Sequence, residues 1–175
     1  MLTLARRALE RLLEAIAMAL MVILTVVVVV AVVYRFAGDS LSWYDEIASQ
    51  LLAWLTYYGA CLAALKRAHI GFDGLIIAVP IKWRLTFVVI AEACVFGFFA
   101  VLAWTGWVVL QVLEGDNLVS LPEVSVQITQ SAIPITAVLF MICEAVSLPD
   151  YWRRVSAGVS HDEIEAAEAE EQARQ

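Results

Sequence analysis

Two carboxylates, Glu92 and Glu144, each stand alone in a long apolar run. Charge held inside hydrocarbon is costly, so such residues are the first candidates for function. At 1.5 Å per helical residue, Glu92 lies about 10 Å from the start of its run at residue 85, and Glu144 about 6 Å from the end of its run at residue 148. The two acids could therefore sit at comparable depth, which opens two chemistries. As a pair they could bind a proton or a cation; singly, each could meet Lys66, Arg67, Arg84, Arg153 or a group on a partner protein. Other chemistry is poorly supplied. The two histidines, His69 and His161, fall in a loop and a tail, so neither a bis-histidine haem nor a metal cluster is expected. Cys61, Cys94 and Cys143 lie in apolar runs without C-x-x-C spacing and read as small buried hydrophobes. No catalytic, cofactor-binding or metal-ligating residue, and no cofactor, is expected.

The elements that must position these acids are four apolar stretches, 15–34, 47–65, 85–113 and 124–148. A helix needs about 20 apolar residues to cross the hydrocarbon layer, and each stretch meets or nearly meets that length. Hydrophobic residues make up 62% of the 175, and mean hydropathy is +0.83, outside the range of a soluble domain. The stretches are apolar all round rather than along one stripe, as membrane helices are. An all-α integral membrane protein with four transmembrane helices follows. The first stretch is too long for a signal-peptide core and is read as a retained span.

Charge gives the orientation. Of eleven Lys and Arg, only Arg35 falls outside the N-terminus, the second loop and the C-terminus, so the positive-inside rule places both termini in the cytoplasm. The net charge of −7 is concentrated in the tail, where 161–175 carries six acids and one arginine. No basic patch suits nucleic acid, which is excluded as a partner. Tyr34, Phe36, Trp43 and Tyr44 mark the outer interface, and Trp83, Tyr151 and Trp152 the inner one.

The expected organisation is an amphipathic interfacial helix over 1–14, spans at 12–36, 46–65, 85–113 and 124–148, an inner loop at 66–84, an outer loop at 114–123 and an acidic inner tail at 149–175. In the first segment Leu2, Ala5, Leu9, Leu12 and Leu13 form an apolar stripe opposite Arg6, Arg7, Glu10 and Glu14, and Arg6, Arg7 and Arg11 suit anionic lipid headgroups. Residues 70–81, too short to cross and interrupted by Asp73, Gly74 and Pro80, read as an interfacial turn or short helix. Ala53, Thr56, Ala60, Ala63 and Ala64, with Gly59 and Cys61 beside them, form one small-residue face; Ala93, Gly97 and Ala100 form another. Such faces serve close helix packing, within the chain or against a partner. Trp54, inside a span, is read as packing on another helix.

The order Leu41-Ser42-Trp43-Tyr44-Asp45-Glu46, Trp54, Gly59-Ala60-Cys61-Leu62-Ala63 and His69-Ile70-x-x-Asp73, followed by Leu121-Pro122 and Pro134, resembles the small membrane subunit, or Q component, of tripartite ATP-independent periplasmic (TRAP) transporters. The resemblance covers nearly the whole chain; Gln50 stands where that family often has arginine, and Phe72 where a branched aliphatic precedes the aspartate. It implies a non-catalytic subunit of the bacterial inner membrane, paired with a large membrane subunit that imports an organic acid on a sodium gradient. A periplasmic solute-binding protein would deliver that acid. On this view Trp43, Asp45, Glu46, Trp54, Gly59, Ala60, His69, Asp73 and Pro134 are partner contacts or structural residues. Asp45 and Glu46 also suit the positive end of a helix dipole, and His69 with Asp73 could fix a turn. Two other classes stay open: a stand-alone four-span exporter, for which Glu14 is the residue to compare, and a membrane anchor of another complex.

Overall fold

A computed structural model describes residues 2–67 and 80–157, and there the chain is helical, with no strand among the described residues. The helices are α1 (Leu2–Phe36), α2 (Tyr44–Lys66), α3 (Ile81–Val112), the short α4 (Val126–Gln130) and α5 (Ala132–Ala157). Four membrane-spanning segments are long and apolar enough, one each in α1, α2 and α3 and one formed by α4 with α5.

Three pairings organise them: α1 with α2, α2 with α5, and α5 with α3. The result is a row, α1–α2–α5–α3, rather than a closed four-helix bundle. Of the two inner members, α5 packs against α2 and α3, and Thr136, Ala137, Phe140, Cys143, Glu144 and Ser147 are all buried along it. At the edge, α1 buries Leu13, Leu20 and Ala31, a stripe that faces α2, while Met18, Met21, Val22, Val26, Val29 and Val33 are exposed. That exposure suits a lipid solvent, which sets no penalty on uncovered valine. The main core cluster joins three helices through Leu13 of α1, Cys61, Ala64 and Leu65 of α2, and Phe140 and Cys143 of α5.

Two expectations about boundaries change. No break separates an N-terminal amphipathic helix from the first span, since α1 runs unbroken from Leu2. Its polar residues at 6, 10 and 14 are satisfied by α2 and α5 (below), which removes any need to turn into the membrane surface. The segment 124–148 is not one helix but two, and Pro134 explains it. Proline has no N–H for the carbonyl four residues back and its ring crowds that carbonyl. The chain therefore ends α4 with Ser131 N–H donating to Gln127 O (2.9 Å) and restarts α5 with Pro134 in its first turn. Helix α5 then continues through Pro149 to Ala157, past the expected tail boundary. The expected interfacial segment at 70–81 lies mostly outside the described residues, as does the acidic tail beyond residue 157.

The close approach of α3 to α5 centres on Gly106, where a Cβ would stand 3.1 Å from Pro134 Cδ and 3.2 Å from Ile133 Cγ2. Small residues permit such backbone proximity between membrane helices. Gly106→Val is expected to cost about 1–3 kcal/mol by overpacking. Gly97→Val, at a position with nothing within 4 Å of a new Cβ, should leave stability nearly unchanged. Thermal unfolding of both variants in detergent micelles checks the pair.

Candidate functional site

Helix α2 ends at Lys66, and the next residue, Arg67, adopts a left-handed backbone (φ 54°, ψ 31°) whose N–H caps the carbonyls of Ala63 and Ala64. Glycine normally fills such a C-cap; a side-chain-bearing residue there costs about 1–2 kcal/mol. What offsets the strain is the position it gives the guanidinium. Nη1 donates to Glu92 Oε1 of α3 at 2.8 Å and forms an ion pair with Glu144 Oε1 of α5 at 2.9 Å. Nε donates to Ser147 Oγ at 2.9 Å, and Ser147 Oγ donates in turn to the Glu144 carbonyl at 3.0 Å. The guanidinium carbon lies 4.4 Å from the centre of the Tyr151 ring, a cation–π contact. The side chains of Arg67, Glu92 and Glu144 are only 14%, 13% and 8% exposed, so one cation serves two anions in a site largely closed to water.

The two intramembrane carboxylates thus come together, and on Arg67. This is the second of the two readings left open by the sequence, with Arg67 as the cation that each acid meets. Lys66, Arg84 and Arg153 take other roles or lie elsewhere. Lys66 Nζ binds Glu14 (2.6 Å) and Glu10 (3.2 Å) of α1, and Arg84 Nη1 donates to the Val155 carbonyl (3.1 Å). Arg6, expected to face lipid with Arg7 and Arg11, instead binds Asp150 (2.7 Å) and the Leu65 carbonyl (3.2 Å), because α5 extends far enough to meet it. Arg7 and Arg11 are exposed. These outer pairs are partly solvated and contribute little each. All of them gather at the end of the row that holds the start of α1, the end of α2, the start of α3 and the end of α5.

At the opposite end, residues 113–125 fold back through an Asn117–Ser125 bridge, and Leu118 is buried. Glu46 in the first turn of α2 accepts from the Ser120 N–H (3.0 Å), the Ser120 hydroxyl and the Val119 N–H (3.4 Å), tying that loop to α2. Asp45 beside it is exposed, and Trp43 occupies the N-cap position without capping. Midway, Trp54 Nε1 donates to the Thr129 carbonyl at 2.7 Å, and Cys61 Sγ to the Thr136 carbonyl at 3.4 Å. Both carbonyls lie near the α4–α5 interruption. Ala60 borders the core cluster, whereas Gly59 and Gly97 have open space where a side chain would be. His69 and Asp73 lie outside the described residues. Buried Cys61 and Cys143 fit small hydrophobes; Cys94 is exposed. Among the described residues no group of three or more His, Cys, Asp or Glu could hold a metal.

Three contributors were not singled out from sequence. Ser147 and Tyr151 follow Glu144 at i+3 and i+7, one face of a helix, and that spacing was the available signal. Tyr151 was read instead as an interface aromatic. Gly106 carried no signal apart from being a glycine within a span.

Residues 24–154, about three quarters of the chain and including every member of the Arg67 cluster, match the family model described as Tripartite ATP-independent periplasmic transporters, DctQ component. Among curated proteins no relative matches.

Proposed function

The chain belongs to the DctQ component family of tripartite ATP-independent periplasmic transporters, and on that premise we propose that it is the non-catalytic small permease subunit, a static scaffold beside a large membrane subunit. The large subunit carries out sodium-coupled import of an organic acid that a periplasmic solute-binding protein delivers. The complex sits in the bacterial inner membrane with both termini of this chain in the cytoplasm. That orientation puts the Arg67 cluster and the loop at 66–84 on the cytoplasmic side, and the loop at 114–123 with Glu46 on the periplasmic side.

The observation that carries the scaffold reading is the open row. Helices α1 and α3 each leave a long apolar face uncovered, including Val22, Val26 and Val29 on one and Phe98, Val101 and Trp104 on the other. Several polar side chains at membrane depth are engaged within the chain: Gln127 Nε2 with the Leu110 carbonyl (2.8 Å), Thr129 with Val126, Ser131 with Ile128 and Thr136 with Ala132. A groove of about 900 Å³ between α3 and α5 is walled by Ala103, Trp104, Trp107, Pro134, Ile135 and Val138, an apolar lining unsuited to a hydrophilic solute. Glu14, the residue that a self-sufficient exporter would need free, is bound to Lys66 at 2.6 Å.

The test is reconstitution. Tagged chain, co-expressed with a many-span permease of the same transporter system, should co-purify with it. Liposomes should accumulate an organic acid only when both membrane proteins, the binding protein and an inward sodium gradient are present. Uptake by liposomes holding this chain alone would contradict the scaffold role. Uptake by the full system without sodium would contradict the coupling but leave the scaffold standing.

A further inference from the structure

Arg7 and Arg11 of α1 are exposed, and they share a face with the exposed apolar stripe of that helix. At about 100° per residue, the buried residues Leu13, Leu20 and Ala31 fall in one narrow sector, the side that packs on α2. Arg7 and Arg11 lie on the opposite side, about 6 Å apart along the axis and about 40° apart around it. The same sector holds Ala15, Met18, Val22 and Val26, all exposed, so the two cations run directly into the stripe. The neighbouring charges of α1 are engaged elsewhere: Arg6 with Asp150, and Glu10 and Glu14 with Lys66. Among the described residues no ion pair joins Arg7 or Arg11 to any group.

Depth decides what such a face meets. The uncharged run 15–34 spans about 30 Å as a helix, the thickness of the hydrocarbon layer, and Arg35 closes its other end. Arg11 then stands about 6 Å beyond the edge of the hydrocarbon, at headgroup level, and Arg7 one turn further out. We propose that Arg7 and Arg11 bind the phosphate of one anionic glycerophospholipid, whose acyl chain lies along Ala15, Met18, Val22 and Val26. Two guanidinium forks suit a phosphodiester, whose oxygens accept from both. From Ala15 to Val26 is about 16 Å, half the hydrocarbon layer and so the depth of one leaflet. A zwitterionic lipid is disfavoured, because its ammonium would approach two positive charges. An acidic protein segment is a poorer match, because the cations continue into an apolar stripe, which fits a headgroup joined to a chain. The site requires that α1 spans the membrane; it goes beyond the scaffold assignment and does not depend on it.

The experiment is native mass spectrometry of the full chain in nonionic detergent micelles doped with equal amounts of phosphatidylglycerol and phosphatidylcholine. An arginine near an anionic surface is worth about fivefold in binding, so the wild type should retain phosphatidylglycerol over phosphatidylcholine by roughly twentyfold. Arg7→Gln and Arg11→Gln should each lower that preference about fivefold, and the double variant should bring it near parity. The Arg7→Lys, Arg11→Lys double variant, which keeps both charges, should lose less than the double glutamine variant; circular dichroism checks that all keep their helix. Glycerophosphoglycerol, the same headgroup without chains, should fail to displace the bound lipid at equal concentration. Equal retention of the two lipids by the wild type would overturn the proposal; it is the result expected if acids such as the six in 161–175 neutralise both arginines. An unchanged preference in the double glutamine variant, or displacement by the chainless headgroup, would overturn it as well.

Discussion

Replacing Arg67 by glycine should lower the unfolding free energy of the isolated chain by about 3–5 kcal/mol, the range for removing one partner of a buried ion pair. Glycine is the informative choice, because φ at this position is +54° and glycine relaxes the backbone while deleting the side chain. Any loss is therefore assignable to the guanidinium rather than to strain. Two acids, Glu92 and Glu144, would be left in a closed site with no cation. Ser147 would lose the donor at its hydroxyl and Tyr151 the cation on its ring. Adding Glu92→Gln and Glu144→Gln to the glycine variant should recover most of the loss, since neutral amides need no counter-ion. Arg67→Lys should fall between, keeping the charge but not the fork that reaches two helices from one group. Unfolding by increasing dodecyl sulfate in mixed micelles, followed by circular dichroism, reads all four proteins. A glycine variant as stable as wild type would remove Arg67 from the role assigned to it.

Phe140→Ala should cost about 3 kcal/mol, at the lower end of measured Phe-to-Ala losses in close-packed cores. Phe140 is 7% exposed and stacks on Phe99 with ring centres 3.8 Å apart and planes 9° from parallel. That stack is a direct side-chain link between α5 and α3, and Phe140 also belongs to the core cluster with Leu13, Cys61 and Leu65. Deleting it opens a void among three helices whose positions are set by other contacts, so the site collapses poorly. Phe98 provides the contrast. It meets Phe99 edge-on at 5.3 Å but is 63% exposed, so Phe98→Ala should cost less than about 1 kcal/mol. Equal losses from the two alanine variants, in the same dodecyl sulfate titration, would show that the row is not held together where the geometry places its core.

The groups in the candidate site were legible from sequence to differing degrees. Glu92 and Glu144 stood out because a carboxylate inside an apolar run is rare, and rarity needs no structure to be seen. Arg67 was one of four cations that could have met them. Its selection depends on the left-handed turn at the end of α2, which no residue type in the sequence announces, since arginine is an unusual C-cap. Pro134 was visible as a proline in a span, but its consequence was not. The interruption at Ser131 exposes backbone carbonyls, and the one at Thr129 is where Trp54 places its indole N–H. Arg6 looked like a lipid contact because nothing in the sequence tells how far α5 extends past Pro149 to bring Asp150 beside it.

The four spans, their lengths and the clustering of positive charge at alternate loops were determined by the sequence alone. Each follows from the transfer of a residue between water and hydrocarbon, a property that the residue carries with it wherever its neighbours lie. The order of helices in the row, the choice of Arg67 over three rival cations and the contact of Gly106 with Pro134 were decided only by the tertiary structure. Those depend on which faces of different helices meet and at what register, and apolar residues all round a helix leave that choice to a few polar groups and small side chains far apart in the chain.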